Sequence, residues 1–374
     1  MNLVRLTGVK TITNAALRWI PPFLPTLEAA FGTSTRQMTT IIGAGEMAGL
    51  STIGVGRHLD RGRERLVMTL SLLAISVSSL VMLIGTTFTF AVGFVLVILG
   101  VANCTVSGHA HISQRITYDR RARAIGLYET SWAFALLIGA PIVAALISVF
   151  GWRGPLVMFA ILGLAGAVAV RTAPAEPNVE NAARPVIAST ALTPRAWAVV
   201  VGSAMLALSG LSVYAISGSW LDRAFGVETA ELGAVAFGFG AVELVASGGS
   251  AGFADRFGKL RSTMAGIAAL VTGLAVMAIS GSALLVGVVG ILVFLAGFEF
   301  AFVTSLSLVS EAMPSSRGKT LAVSNGIGTV ARGSGTIASG WLFDAYGVRG
   351  TIVLSASAAV LAILAFVISR RVRA

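Results

Sequence analysis

Long apolar runs, each closed by a short polar break, repeat from one end of the chain to the other. Most are about 17 to 25 residues long, the length that carries an α-helix across a hydrocarbon core of ~30 Å. Twelve spans are predicted, at residues 8–30, 37–57, 66–86, 90–112, 124–148, 153–170, 196–220, 230–252, 262–281, 284–310, 319–344 and 350–369. The pattern therefore predicts an all-α membrane protein of 12 transmembrane helices. One long polar stretch interrupts it, RTAPAEPNVENAARPVIASTALTPR at 171–195, whose Pro, Ala and Asn content predicts a linker. The expected organisation is a six-helix bundle at 1–170, a cytoplasmic linker at 171–195 and a second six-helix bundle at 196–374.

Composition agrees with lipid as the main solvent: of 374 residues 56% are hydrophobic and 11% charged, and mean hydropathy is +0.88. The net charge of +11 invites a nucleic-acid reading, which the positions of the 27 Lys and Arg residues oppose. With a cytoplasmic N-terminus, Arg5, Lys10, the loops around residues 57–65, 115–123, 171–195, 256–261 and 317–319, and the C-terminal arginines all fall inside. Arg36, Arg153, Arg223 and Arg349 fall outside, and Arg18 and Arg332 lie within spans. This bias predicts both termini in the cytoplasm and the inner membrane as location, with the basic charge serving topology and attraction to anionic lipid headgroups. Cys104 has no second cysteine to pair with. The first span carries Asn14, Arg18 and three prolines and is read as a retained helix rather than a cleaved signal. His109 and His111, two apart on a helix, point in opposed directions, so no metal or other cofactor is predicted.

The two halves match each other at an offset of about 195 residues. Leu27-Glu28-Ala29-Ala30-Phe31-Gly32 corresponds to Leu221-Asp222-Arg223-Ala224-Phe225-Gly226, Gly43 and Gly45 to Gly238 and Gly240, Asp60-Arg61 to Asp255-Arg256, and Phe150-Gly151-Trp152-Arg153-Gly154 to Tyr346-Gly347-Val348-Arg349-Gly350. A parallel repeat of six helices predicts two pseudo-symmetric bundles with a binding site between them near the bilayer midplane.

The loop between spans 2 and 3 reads Gly56-Arg57-His58-Leu59-Asp60-Arg61-Gly62-Arg63-Glu64-Arg65, and that between spans 8 and 9 reads Asp255-Arg256-Phe257-Gly258-Lys259. Together they resemble the G-x-x-x-D-R-x-G-R signature of the major facilitator superfamily, and the resemblance extends over essentially the whole chain. It implies that Asp60 and Asp255 latch the cytoplasmic side in one conformation, with Gly56, Arg61, Arg63, Arg256, Gly258 and Lys259 in the same loops and Arg115 a partner for Asp60. Ala140-Pro141-Ile142-Val143-Ala144-Ala145 in span 5 is similar to the G-P-x-x-G-G element of that family's drug–proton antiporters, with Leu127 and Leu136 where earlier glycines stand.

Ionisable groups inside a bilayer are expensive and usually functional. Arg18 lies ~12 Å beyond Lys10 along helix 1, sharing a face with Asn14, Pro22 and Pro25. Glu46 and Glu243 occupy equivalent depths in spans 2 and 8. Glu129 in span 5 corresponds to Asn325 in span 11, where Arg332 follows seven residues later, and Glu299 falls mid-span 10. Counted this way, four acids face two bases, and the surplus predicts protons as the coupling ion. Asn103, Ser107 and Gln114 share a face of span 4, while Trp132, with Trp19, Tyr128 and Tyr214, offers an apolar wall. His111 is expected at the cytoplasmic interface. The resulting expectation is a monomeric, proton-coupled secondary transporter of a small molecule, exporting amphipathic or cationic compounds, or alternatively carrying an organic anion held by Arg18 and Arg332. No clustered nucleophile, metal set or carboxylate pair supports an enzyme.

Overall fold

The computed structural model describes residues 1–174, 191–313 and 316–371, without the side chains of residues 60, 118, 119, 122, 251–253, 255 and 317. Most of the expected linker lies outside these. The described residues are helical throughout, with no strand. The elements are α1 (Leu3–Arg18), α2 (Leu24–Phe31), α3 (Thr35–Glu46), a 3₁₀ turn (Met47–Ser51), α4 (Thr52–Asp60), α5 (Glu64–Met82), α6 (Thr87–Arg115), α7 (Tyr118–Glu129), α8 (Ser131–Leu137) and α9 (Gly139–Phe150). They continue with α10 (Arg153–Arg171), α11 (Pro194–Phe225), α12 (Thr229–Phe257), α13 (Lys259–Ala278), α14 (Leu284–Ala312), α15 (Arg317–Tyr346) and α16 (Val348–Arg371).

Among the described residues nine helices, with α7 to α9 taken as one, are long and apolar enough to cross a membrane, which makes the chain a multi-pass membrane protein. The other three expected spans are α1–α2, α3–α4 and α15. The first breaks at Pro21 and Pro22, which supply no amide hydrogen to the preceding turn. The second gives way to the 3₁₀ turn around Gly49. The third is unbroken but carries Ser324, Asn325, Arg332 and Ser334. Span 5 is interrupted twice, after Glu129 and at Ile138. Pro141 explains the second break, because its ring occupies the space where a hydrogen bond to the Leu137 carbonyl would form.

The repeat is visible in the backbone. All eight glycines with positive φ form four pairs, Gly32 with Gly226, Gly62 with Gly258, Gly85 with Gly281 and Gly151 with Gly347, each about 195 residues apart. Equivalent helix ends thus use the same left-handed turn, which residues with a Cβ rarely enter.

Compactness cuts the chain differently from the repeat. One unit comprises Met1–Thr33, Ala48–Arg184 and Thr229–Gly240; the other comprises Ser34–Met47, Pro185–Glu228 and Ala241–Ala374. In the first, Leu6, Met68, Leu72, Cys104, Tyr128 and Val170 form a continuous core. The start of α12 joins it because a Cβ at Gly240 would sit 2.7 Å from the Leu137 backbone nitrogen, so the helices meet with nothing between them. In the second, Ile267, Leu270, Phe294 and Phe366 are buried. Here α3 packs on α15: a Cβ on Gly43 would run into the Gly333 carbonyl and the Ile337 side chain, and Thr39 presses on Gly340. Hydroxyl pairs Ser209–Ser355 (2.8 Å) and Thr263–Thr304 (3.0 Å) join helices inside this unit, as small polar residues do in lipid. Large exposed side chains such as Leu70, Leu80, Leu164, Leu361 and Leu364 form the lipid-facing surface.

Candidate functional site

In the first unit a polar seam runs between α1 and the broken span 5. Lys10, Asn14 and Arg18 follow one another at four-residue steps, so they project from one face of α1. Lys10, 1% exposed, places its ammonium 2.7 Å from Glu129 Oε2 and 4.2 Å from the centre of the Tyr128 ring. Glu129 Oε1 lies 2.7 Å from His109 Nε2. One turn along, Asn14 Nδ2 donates to Ser131 Oγ at 3.2 Å. At the end of α1, Arg18 donates from Nη1 to the Trp132 carbonyl at 2.8 Å and stacks on the Trp132 ring at 4.5 Å. A guanidinium on the last residue of α1 also faces the negative end of that helix.

Two features make this arrangement unlike a structural ion pair. The ammonium is enclosed, whereas the Glu129 and His109 side chains are 46% and 39% exposed. Glu129 also ends α7, at a break in its span. Tyr128 closes the inner wall: it donates to the Cys104 carbonyl at 3.0 Å and fits only because Gly108 has no side chain. The count of four acids against two bases is corrected here. Lys10 does not serve as a loop charge, because α1 begins at Leu3 and carries it two turns into the helix. Glu129 therefore has a cation of its own.

Asn103, expected to line a substrate path, is half-buried and donates to Ser51 Oγ (3.1 Å) and to its own helix at Leu99 (2.9 Å). Ser107 is buried against the Asn103 carbonyl, and Gln114 donates to the Leu59 carbonyl. His111 is buried rather than interfacial, 3.5 Å from Glu64 Oε1. The same carboxylate lies 2.6 Å from Arg115 Nη1, so Arg115 has Glu64 as an acid partner. The side chains of Asp60 and Asp255 lie outside the described residues. Arg61 and Arg63 are exposed and Gly56 half-buried, and Gly62 and Gly258 hold the equivalent left-handed turns of the two signature loops. Arg256 lies over the Phe257 ring, and Lys259 pairs with Glu311.

The second unit holds two further groups. Arg332 Nε is 3.6 Å from Glu46 Oε2, and its Nη2 donates to Thr329 Oγ1 at 3.1 Å. Glu46 is the last residue of α3, beside the Gly43–Gly333 crossing, so it too stands at a break with a cation opposite. Glu299 and Glu243 are both buried; Ser247, one turn after Glu243 on α12, donates to Glu299. Asn325 is exposed on α15, and its carbonyl accepts from Thr329.

A latch at the other end of α3 was not foreseen. Asp344 accepts from Arg223 Nη1 (3.4 Å) and from the Arg36 backbone amide (3.3 Å), while Arg223 also donates to Thr35 Oγ1 (2.6 Å). The Arg36 guanidinium lies 3.2 Å from the Trp341 ring centre, and Trp341 Nε1 donates to Thr40 Oγ1 (3.3 Å). In the sequence Arg36 and Arg223 stand only as topological charges. Their grouping with Asp344 depends on residues some 120 and 300 positions away, which no local pattern announces.

Residues 9–336 match the family model described as Major Facilitator Superfamily. No curated protein matches the sequence. Among solved structures, a bacterial homolog of the human lysosomal transporter Spinster, inward-facing and occupied, superposes with a TM-score of 0.78 at 17% identity, covering 99% of this chain and 96% of that one. A D-xylose–proton symporter gives 0.77 at 15% identity (98% and 96%), and a point mutant of the nucleoside transporter NupG gives 0.78 at 13% identity (99% of both). At these identities the structures share the fold, and the family match accounts for nearly the whole sequence: the chain belongs to the Major Facilitator Superfamily.

Proposed function

We propose that the protein is a proton-coupled secondary transporter, a monomer in the inner membrane with both termini cytoplasmic, and that Glu129 carries the proton. The observation behind this is the Lys10–Glu129–His109 cluster. A half-exposed carboxylate can exchange a proton with a water-filled cavity, while the enclosed Lys10 ammonium cannot follow it into water. Protonating Glu129 would strand that ammonium among apolar side chains. Removing one partner from a buried pair costs about 3–5 kcal/mol, and the exposure of Glu129 reduces this toward ~1–3 kcal/mol. A cost of that size moves a conformational equilibrium about 5- to 150-fold. Proton binding and the setting of α1 against α7 are then linked, which is what coupling requires.

For the solute, the first reading is export of small amphipathic or cationic compounds. It is favoured by the exposed Glu129 carboxylate beside Trp132 and by the break that Pro141 introduces into span 5. The second reading is a small organic anion. It is favoured by the seam itself, where Lys10 and Arg18 outnumber Glu129. A melting-shift screen of lipophilic cations against small carboxylates separates them.

The coupling claim is tested in proteoliposomes. An imposed pH gradient drives accumulation or release of a transported solute by the wild type, and Glu129→Gln abolishes the gradient dependence while leaving exchange. Gradient-driven transport that survives Glu129→Gln unchanged would remove Glu129 from the mechanism.

A further inference from the structure

At the end of the second unit where α12 turns into α13, a cleft of about 570 Å³ opens between α12, α13, α14 and α16, within the size range of small-ligand sites. Its lining carries Lys259, Arg261 and Arg370 against one acid, Glu311, together with the apolar side chains of Phe257, Leu260 and Leu308. Lys259 and Glu311 neutralise each other. Arg261 and Arg370 are exposed and, among the described residues, make no hydrogen bond or ion pair.

The repeat shows that this is not the default state of the position. Arg261 stands three residues after the left-handed Gly258, and its counterpart Arg65 stands three residues after the left-handed Gly62. Arg65 is spent internally: it donates to the carbonyls of Val170 (3.0 Å) and Ala173, closing the end of α10. The residue beside it, Glu64, is fully buried against Arg115. In the second half Leu260 replaces that acid, and Arg261 makes no equivalent bond to the end of α16 among the described residues. α16 ends in two arginines, Arg370 and Arg371, where α10 ends in Arg171 alone.

Arg261 lies in the first turn of α13, and Arg370 follows the last apolar turn of α16, so both sit where spanning helices pass from apolar to polar residues. Exposed apolar side chains lead away from the cleft along α16, at Leu364, Val367 and Ile368. A ligand that suits two free guanidiniums beside apolar side chains is a phosphate diester joined to acyl chains. The geometry points to a binding site for the headgroup of an anionic phospholipid, gripped by Arg261 and Arg370 at the cytoplasmic surface of the second unit. Charge complementarity and continuity with the lipid-facing belt favour a lipid over a free phosphate.

The test uses the full chain in mixed micelles carrying phosphatidylglycerol or phosphatidylcholine, with retained lipid counted by native mass spectrometry. Wild type retains phosphatidylglycerol preferentially, and Arg261→Gln/Arg370→Gln loses roughly thirtyfold of that preference, about fivefold for each arginine. Arg261→Lys/Arg370→Lys keeps a larger part of it, which separates lost charge from lost folding. Arg349→Gln, distant in the same unit, leaves it intact. Equal preference in wild type and the double Gln variant overturns the site. So does displacement of phosphatidylglycerol by millimolar inorganic phosphate, which would make a soluble anion the ligand.

Discussion

Adding one methyl group at Gly43 should open the transporter. Gly43 on α3 meets Gly333 on α15 so closely that a Cβ would overlap the Gly333 carbonyl and the Ile337 side chain. Neither neighbour is the loose end of a long side chain, so Gly43→Ala has to push the helices apart. Overpacking of this kind costs about 1–3 kcal/mol. Alternating access relieves that cost in any state where α3 and α15 separate. The population of that state should therefore rise about 5- to 150-fold. Thr39, four residues earlier and 0% exposed, reports the separation. A Thr39→Cys variant should react slowly with a water-soluble maleimide, and much faster when Gly43→Ala is also present. Cys104, 1% exposed, contributes little background. If Gly43→Ala lowers the melting temperature while the labelling rate stays the same, the clash burdens every conformation equally and the α3–α15 contact is not a gate.

Three further outcomes follow from the same contacts. Lys10→Met and Glu129→Gln should each lower the melting temperature, whereas the double variant should recover most of the loss, because the pair rather than either charge fits the seam; additive losses in a melting series would contradict this. Asp344→Asn should cost under about 1 kcal/mol of stability, since its partner Arg223 is 44% exposed, yet speed labelling at Thr39→Cys by releasing Arg36 and Arg223. Arg65→Gln should reduce thermal stability in neutral detergent, because the carbonyls of Val170 and Ala173 lose their donor; Arg261→Gln in the same detergent should not.

The fold was legible because its signals are local. Apolar runs set the helices, and Gly32, Gly62, Gly151 and their partners mark the same turns in each half. Pro21, Pro22 and Pro141 announce two of the breaks. The break after Glu129 and the 3₁₀ turn after Glu46 carry no such sign, and both place an acid at a helix end. The site was less legible because charges choose partners across distant sequence. Glu46 meets Arg332, Arg18 meets a carbonyl rather than an acid, and Lys10 resembles a loop residue because the apolar run alone does not mark a helix start at Leu3. For His109, the spacing from His111 that argues against a metal matters less than the distance to Glu129.

The seam between α1 and span 5 also bears on how the protein is made. Neither α1 nor α2 is long enough to cross a membrane alone, and Lys10 and Arg18 each add ~2.5–3.5 kcal/mol against insertion. During synthesis their partners do not yet exist. Arg18 waits for a carbonyl 114 residues downstream and Asn14 for a hydroxyl 117 residues downstream. The span that holds Lys10 and Arg18 therefore gains its polar partners only once span 5 has been translated, which ties the settling of the one to the arrival of the other.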